Sequence, residues 1–534
     1  MKQMKTKIKN FLNIQSIRHS INDDIRSMAK LVAGIAPKAD KSKTIIIFNA
    51  STRITGLSLN AAFSMLTGWS LRLQGIRVIN VVCQQGMSRC VLGTNNNDVH
   101  QFPPCQKCIR QSGVIYHKSD ICTLVFYPCP ELAKELKGLP LSELMKFSFD
   151  EIPLGKICLP SMRWILRRHH LIDNEETRIL YRHYIISGYK VARQFDELMK
   201  KVTPISILIF NGMQFPEAVV RWVAQLYEIP AYTYEVGLQP FSAFFTDGDA
   251  TAYPVNITDD FQLSDAQNGR LDDYLSKRFK GDFSMAGIQF WPEIMGLDDK
   301  ILEKINSFKQ VVPIFTNVIF DTSQPHANVL FPDMFAWLDQ VLEVIKAHPE
   351  TLFVIRAHPD EARPGKASRE SVTDWVYERD MGILENVVFI QPEDYFSSYE
   401  MIKLAKFVMV YNSTIGLEAS IMGAPVLCAG KARFTQLDTV FFPVSRGDYF
   451  IKLEEFINID NIEVNENHRL NARRFLYYQL YKTSLPFDRF LEPDGIWPGF
   501  VKLKDFAVED LLPYNSHIMD VISNGLQKGQ AFLL

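Results

Sequence analysis

No run in this chain approaches the roughly 18 uninterrupted apolar residues that a membrane-spanning helix requires, so no such helix is expected. Charge of one sign is also missing. The 534 residues carry a formal net charge of -2, which gives no global positive field and excludes a nucleic-acid partner held by bulk electrostatics. The phosphate-cradling G-x-x-x-x-G-K-[ST], the nucleophile elbow G-x-S-x-G and the metalloprotease H-E-x-x-H are absent. P-loop, serine-hydrolase and zincin chemistry therefore lack their local signatures. No Asp-x-Asp stands at a strand end as a strong metal site; Asp247-Gly-Asp249 is the nearest approach.

Cysteine is scarce in the second half. Seven of the eight lie before Leu159 and only Cys428 follows. Without an apolar, cleavable leader at the N-terminus, reduced thiols in a cytoplasmic protein are the expectation. Cys83, Cys90, Cys105 and Cys108 include one C-x-x-C, in PPCQKC, but the first pair is spaced by six residues. Structural zinc and plain buried thiols both stay open for this group.

What is present is ordinary for a globular protein, with 47% hydrophobic and 22% charged residues. The length exceeds what one core supports, so two domains with extensions are expected. Residues 1–40 read as a helical extension. Its lysines Lys2, Lys5, Lys7 and Lys9, interleaved with apolar residues, suit either a solvated helix or peripheral contact with anionic lipid at the inner face of a membrane. Residues 41–290 begin with strand–helix–strand: TIIIFNA (Thr44–Ala50), an apolar-periodic helix ending at Gly75, then RVINVVC (Arg77–Cys83). A helix-rich insertion over about Pro130–Lys201 precedes strands ISILIF (Ile205–Phe210) and PAYTYEVG (Pro230–Gly237). The polar stretch Asp259–Phe290 reads as a lid or linker.

Residues 291–450 repeat the alternation, with strands VVPIFTNV (Val311–Val318), TLFVIRAHP (Thr351–Pro359), VVFIQP (Val387–Pro392), KFVMVYN (Lys406–Asn412) and APVLCAG (Ala424–Gly430). Residues 451–534 read as a C-terminal helical region. The fold class is α/β, with two Rossmann-like domains facing a cleft. Ligands of open parallel sheets bind beyond the carboxyl ends of the strands, so chemistry is sought in those loops.

Two loops stand out. In YNSTIGLEASIMGAP, Ser413 and Thr414 follow a strand ending at Asn412 and open a helix, whose free N–H groups favour a phosphate. Gly416 would let a ligand approach the backbone, and Glu418, in excess of a capping box, is available for ribose hydroxyls. Simple N-capping is the competing structural role. In IRAHPDE, Arg356 and His358 share a face at a strand end, where an imidazole suits a departing phosphate; a loop-capping histidine is the alternative.

These stretches, together with PIFTNVIFD (Pro313–Asp321), resemble the bacterial capsule polysaccharide biosynthesis family, which includes the Kdo transferases of capsule assembly. The order of an HP motif and a Ser/Thr motif is also similar to that of bacterial sialyltransferases, which use a CMP-activated sugar on the two-domain GT-B fold. The resemblance implies a metal-independent glycosyltransferase with no cofactor beyond a nucleotide-sugar co-substrate. It implies that His358, Ser413 and Thr414 contact donor phosphate and Glu418 the nucleoside, with Arg356, Asn412 and Gly416 beside them. The chain departs from the family's common Arg-Pro-His-Pro by having IRAHP.

The partner on the other side is expected to be a glycan or lipid-linked glycan acceptor. Glu235 is the candidate base, with Asp247 and Asp249 as runners-up and Asn49, Ser51 and Asn211 as acceptor contacts; polar-loop and turn roles compete for each. Asp321, at the first strand end of the second half, suits an N-cap-like loop role. Two other functions stay in view: a nucleotide-sugar epimerase of the same architecture, and a non-catalytic module of polysaccharide assembly.

Overall fold

A computed structural model describes residues 2–50, 54–280 and 295–534, with side chains from residue 14 onward. The first sheet has strand order Leu485–Pro486, Ser242–Asp247, Ala231–Val236, Ser206–Phe210, Asp40–Phe48, Ile76–Gln84, Asp120–Val125. Its last five members are parallel, while the two nearest the Leu485 edge run antiparallel to their neighbours. The second sheet is wholly parallel, in the order Val387–Ile390, Thr351–Arg356, Gln310–Phe315, Val408–Val410, Val426–Cys428. Counted within each parallel set, both sheets run 3-2-1-4-5. Strand order therefore reverses beside Asp40–Phe48 in one and beside Gln310–Phe315 in the other, which is the doubly wound, Rossmann-like pattern of a GT-B fold.

All nine strands expected from the sequence lie in these two sheets. Their near-continuous apolar character follows from burial on both faces: Ile45–Phe48 and Thr351–Arg356 are buried throughout. Each sheet separates two clusters of buried side chains, one per face. Strand Asp120–Val125 escapes the sequence pattern because it is an edge strand with a mostly exposed run.

The N-terminal extension is helical over Lys2–Ile35, and Ile21, Ile25, Ala29 and Val32 bury one stripe against the first core. The side chains of residues 2–13, which carry the lipid-contact reading, lie outside the described residues. Among the described residues no helix is long and apolar enough to cross a membrane. The stretch read as a lid or linker contains a capped helix, Asp265–Phe279, anchored by buried Leu271 and Leu275 and by Arg473, which donates to Asn268 at 2.9 Å. Its remaining residues 281–290 are outside the described set. The C-terminal residues include three short strands, and the last helix, His517–Lys528, returns to the first sheet, where Ser206 donates to the Leu526 carbonyl at 2.7 Å.

A charged clasp joins the loop after the helix Leu154–Leu166 to the second sheet's surroundings. His170 Nδ1 meets Glu370 at 2.5 Å and Nε2 meets Asp333 at 3.2 Å, while Glu370 also accepts from the backbone N–H groups of His169 and His170. The two carboxylates raise the His170 pKa from 6.5 to about 10. Its ring is 58% exposed, so solvent screens both contacts. Because the folded-state value lies above the unfolded one, the clasp contributes fully below about pH 6.5 and its contribution is lost as pH rises towards 10. His170→Gln is expected to lower Tm at pH 6, with the gap to the parent closing as pH is raised through this window. A pH-independent gap in thermal unfolding would refute the charged clasp.

Candidate functional site

At the reversal point of the second sheet, a cleft with about 1080 Å³ of empty space, its open mouth included, is lined by Thr316, Asn317, Arg356, His358, Ser413 and Thr414, together with Arg278, Tyr399 and Glu418. Strand Gln310–Phe315 ends one residue before Thr316, and Val408–Val410 ends three before Ser413. The two outgoing loops part here and leave the gap between them.

The histidine arrives at the end of strand Thr351–Arg356. His358 Nδ1 accepts the Asp360 N–H at 3.1 Å, so it caps the following turn as well as lining the cleft. With Nδ1 an acceptor, the neutral ring carries its proton on Nε2. Burial pulls the pKa below 6.5, against the opposing pull of Asp360, so the neutral, donating imidazole is the form present near neutral pH. Arg356 is 7% exposed and donates to the Asp394 carbonyl at 2.9 Å; burial lowers its pKa to about 10, which still leaves a cation at pH 7.

Ser413 and Thr414 border the same cleft. Thr414 is the N-cap of helix Ile415–Ile421 but makes no side-chain hydrogen bond to it, which sets aside ordinary hydroxyl capping. Asn412 turns away, its Oδ1 accepting from Asn317 at 2.7 Å, and so ties the two loops at the reversal point together. Gly416 has a different reason from the one its sequence suggested. A Cβ there would lie 2.9 Å from Val410 Cγ2 and 3.1 Å from Phe434 Cζ. Its smallness seats the helix on the sheet and does not expose backbone to a ligand.

Glu418 borders the cleft with both carboxylate oxygens already engaged by protein. It is 3% exposed; Oε1 receives Arg278 Nε at 2.5 Å and Oε2 receives the Tyr399 hydroxyl at 2.6 Å. Its work is to hold Arg278, which comes from the helix Asp265–Phe279 and borders the cleft. Burial works against the guanidinium charge, yet Glu418 outweighs it and holds the Arg278 pKa above its ordinary value. Sequence reading missed Arg278 because its stretch read as linker. It missed Thr316 and Asn317 because the strand was drawn through Val318, three residues too far.

The first sheet's reversal point lies beside Asn49 and Asn211. Asn211 adopts φ 60° and donates to Glu235, whose other oxygen accepts the Val236 N–H at 3.2 Å. Burial raises the Glu235 pKa; Asn211 and Arg433 oppose the shift and Asp321 adds to it. Asp321 also acts on His358, so its charge is felt by both the candidate base and the histidine. Its Oδ1 accepts the Ser323 N–H at 2.8 Å, the expected loop role. Asn49 is 2% exposed and donates to Ser64 and Tyr234, so it braces the sheet and does not face an acceptor. Ser51, with Thr52 and Arg53, lies outside the described residues. Asp249 is paired with Arg221, and Asp247 is exposed at the end of its strand.

Outside the cleft, His169, His170 and Asp333 gather within 4.8 Å, but the imidazole of His170 is already engaged by two carboxylates. None of the eight cysteines is in a disulfide.

Residues 293–437 match the family described as "Capsule polysaccharide biosynthesis protein". No curated protein matches the chain. Among solved structures, it is similar to the beta Kdo 2,4 transferase of Thermosulfurimonas dismutans KpsC, with 12% identity over 58% of this chain and 87% of that one and a TM-score of 0.36. It is also similar to S. aureus MnaA in a co-structure with UDP (12% identity, 82% and 93% covered, TM-score 0.26) and to UDP-GlcNAc 2-epimerase from Neisseria meningitidis (13%, 82% and 99%, 0.24).

Two substitutions separate packing from charge. Gly416→Ala should cost about 1–3 kcal/mol in urea unfolding through its clash with Val410. Glu418→Ala, which strands a buried guanidinium, should cost about 3–5 kcal/mol. A neutral outcome for Glu418→Ala would mean that Arg278 finds water or another partner.

Proposed function

We propose, from the match of residues 293–437 to the capsule polysaccharide biosynthesis family, that the chain is a glycosyltransferase that moves a sugar from a nucleotide-activated donor to a growing surface glycan. The observation that carries this reading is the single cleft at the second reversal point, where two guanidinium groups, a neutral imidazole and two hydroxyls converge. That set suits a phosphate-bearing leaving group.

In the reaction, the bond from the anomeric carbon to the donor phosphate oxygen breaks as an acceptor hydroxyl oxygen bonds to that carbon. Negative charge grows on the departing phosphate, where the cations and hydroxyl donors of the cleft stabilise it, and His358 Nε2–H supplies a further hydrogen bond. Glu235 accepts the acceptor's proton; its raised pKa moves it towards the neutral range a base requires. The resemblance to Kdo transferases and sialyltransferases makes a CMP-sugar the first donor to test. With the catalytic groups in the protein's own side chains, no metal is invoked in the step.

An epimerase would use the same donor cleft without an acceptor. The discriminating experiment is to screen CMP-, UDP-, GDP- and dTDP-sugars by thermal shift. A true donor at about a hundred times its Kd should stabilise the fold by roughly 2.7 kcal/mol. With that donor, His358→Ala and Ser413→Ala should each lower transfer about 10²–10³-fold, as loss of a positioned donor does; ligand-free melting should be unchanged in Ser413→Ala and slightly lower in His358→Ala, which also loses its cap on the Asp360 N–H. Wild-type transfer rates in both variants would end the proposal, and isomerisation of the donor without acceptor would replace it with the epimerase.

A further inference from the structure

The four cysteines left open by their spacing are brought together by the fold. Cys83, Cys90, Cys105 and Cys108 all line one pocket beside the carboxyl edge of the first sheet. Cys83 stands at the end of strand Ile76–Gln84, Cys90 in the loop that follows, and Cys105 and Cys108 one turn apart on helix Cys105–Ile115. Three segments thus contribute sulfur to one space, and the rest of its wall is almost wholly apolar, including Ile54, Met87, Leu92 and Ile109.

The local backbone is shaped around sulfur. Cys83 and Cys90 are each followed three residues later by a glycine, Gly86 and Gly93. The N–H groups of Gly86 and Met87 point at the Cys83 sulfur, and Gly93 N donates to Cys90 Sγ at 3.3 Å. A Cβ on Gly93 would lie 2.6 Å from Pro103 Cβ and 3.1 Å from Cys90 Sγ; one on Gly86 would lie 2.7 Å from the backbone of Leu124. Neither position has room for a side chain. Plain apolar packing of thiols does not require a repeated Cys-x-x-Gly turn with its N–H groups turned onto sulfur, whereas thiolates bound to a metal are stabilised by such hydrogen bonds.

We propose that Cys83, Cys90, Cys105 and Cys108 bind one tetrathiolate metal centre, either a zinc ion or an iron–sulfur cluster. Four thiolates are the complete ligand set of both. The sulfurs stand wider than a closed single-ion cage: among the described residues the three-ligand grouping at such range is His169, His170 and Asp333. The centre would pin the loop between Cys83 and Cys105, and this loop reaches the second half of the chain, where Asn97 accepts from Arg369 at 2.6 Å.

The test is elemental analysis with acid-labile sulfide on the full chain, purified without oxygen, in wild type, Cys108→Ser, Cys83→Ser and Cys122→Ser. Expected is one metal centre per chain in wild type and Cys122→Ser, lost in the other two: iron with equal sulfide identifies a cluster, zinc without sulfide a single ion. In a second readout on folded wild type, Cys105 and Cys108 should resist alkylation until a chelator is added. Metal-free wild type, metal retained in Cys108→Ser and Cys83→Ser, or chelator-independent alkylation would each overturn the proposal, whether or not those variants fold.

Discussion

The reversal of strand order beside a central strand governs this molecule. In a sheet ordered 3-2-1-4-5, connections leave the first and fourth strands on opposite faces, and the loops at their carboxyl ends part. Everything polar in the candidate site hangs on that parting. Thr316 and Asn317 leave one strand, Ser413 and Thr414 its neighbour, and His358 the next strand along. The same geometry in the first sheet sets Asn211 at that sheet's reversal point, where it donates to Glu235. Asp321 is one electrostatic link between the halves, since it acts on both Glu235 and His358.

Charge in the cleft is organised by burial as much as by type. An isolated guanidinium at the depth of Arg278 would carry a desolvation cost of several kcal/mol. Glu418 offsets it by accepting from the guanidinium, while Tyr399 donates to the other oxygen of the same carboxylate. The carboxylate that looked like a ligand contact thus serves as a mount for one. His358 shows the opposite solution: enclosed by protein beside Arg356, it gives up its charge and retains a directional N–H.

The framework was legible because parallel strands buried on both faces leave apolar runs that no other element imitates at that length, as in TIIIF and TLFVI. His358, Ser413 and Thr414 were legible for a related reason: a polar residue directly after such a run must lie at a sheet edge. What stayed hidden were relations between distant segments. Nothing around Arg278 signals that Glu418, 140 residues later, receives it. Asn49 follows a strand as Ser413 does, yet Ser64 and Tyr234 close over it. Gly416 could be read for its missing side chain, but only the distance to Val410 shows which neighbour needs the space.

The chain passes between its two halves twice. It leaves the first sheet after Asp247 and enters the second at Gln310, then returns over three residues between the helix Glu466–Tyr481 and the strand Leu485–Pro486. At the return, Ser484 Oγ accepts from the Leu238 N–H and donates to the Gln479 carbonyl, which fastens the second crossing to the turn before strand Ser242–Asp247. Two bodies joined by a single tether can tumble freely; two joined at a pair of points can turn only about the line through them. Here the halves are held at more than those two points, because the His170 contacts with Glu370 and Asp333 join them at a third.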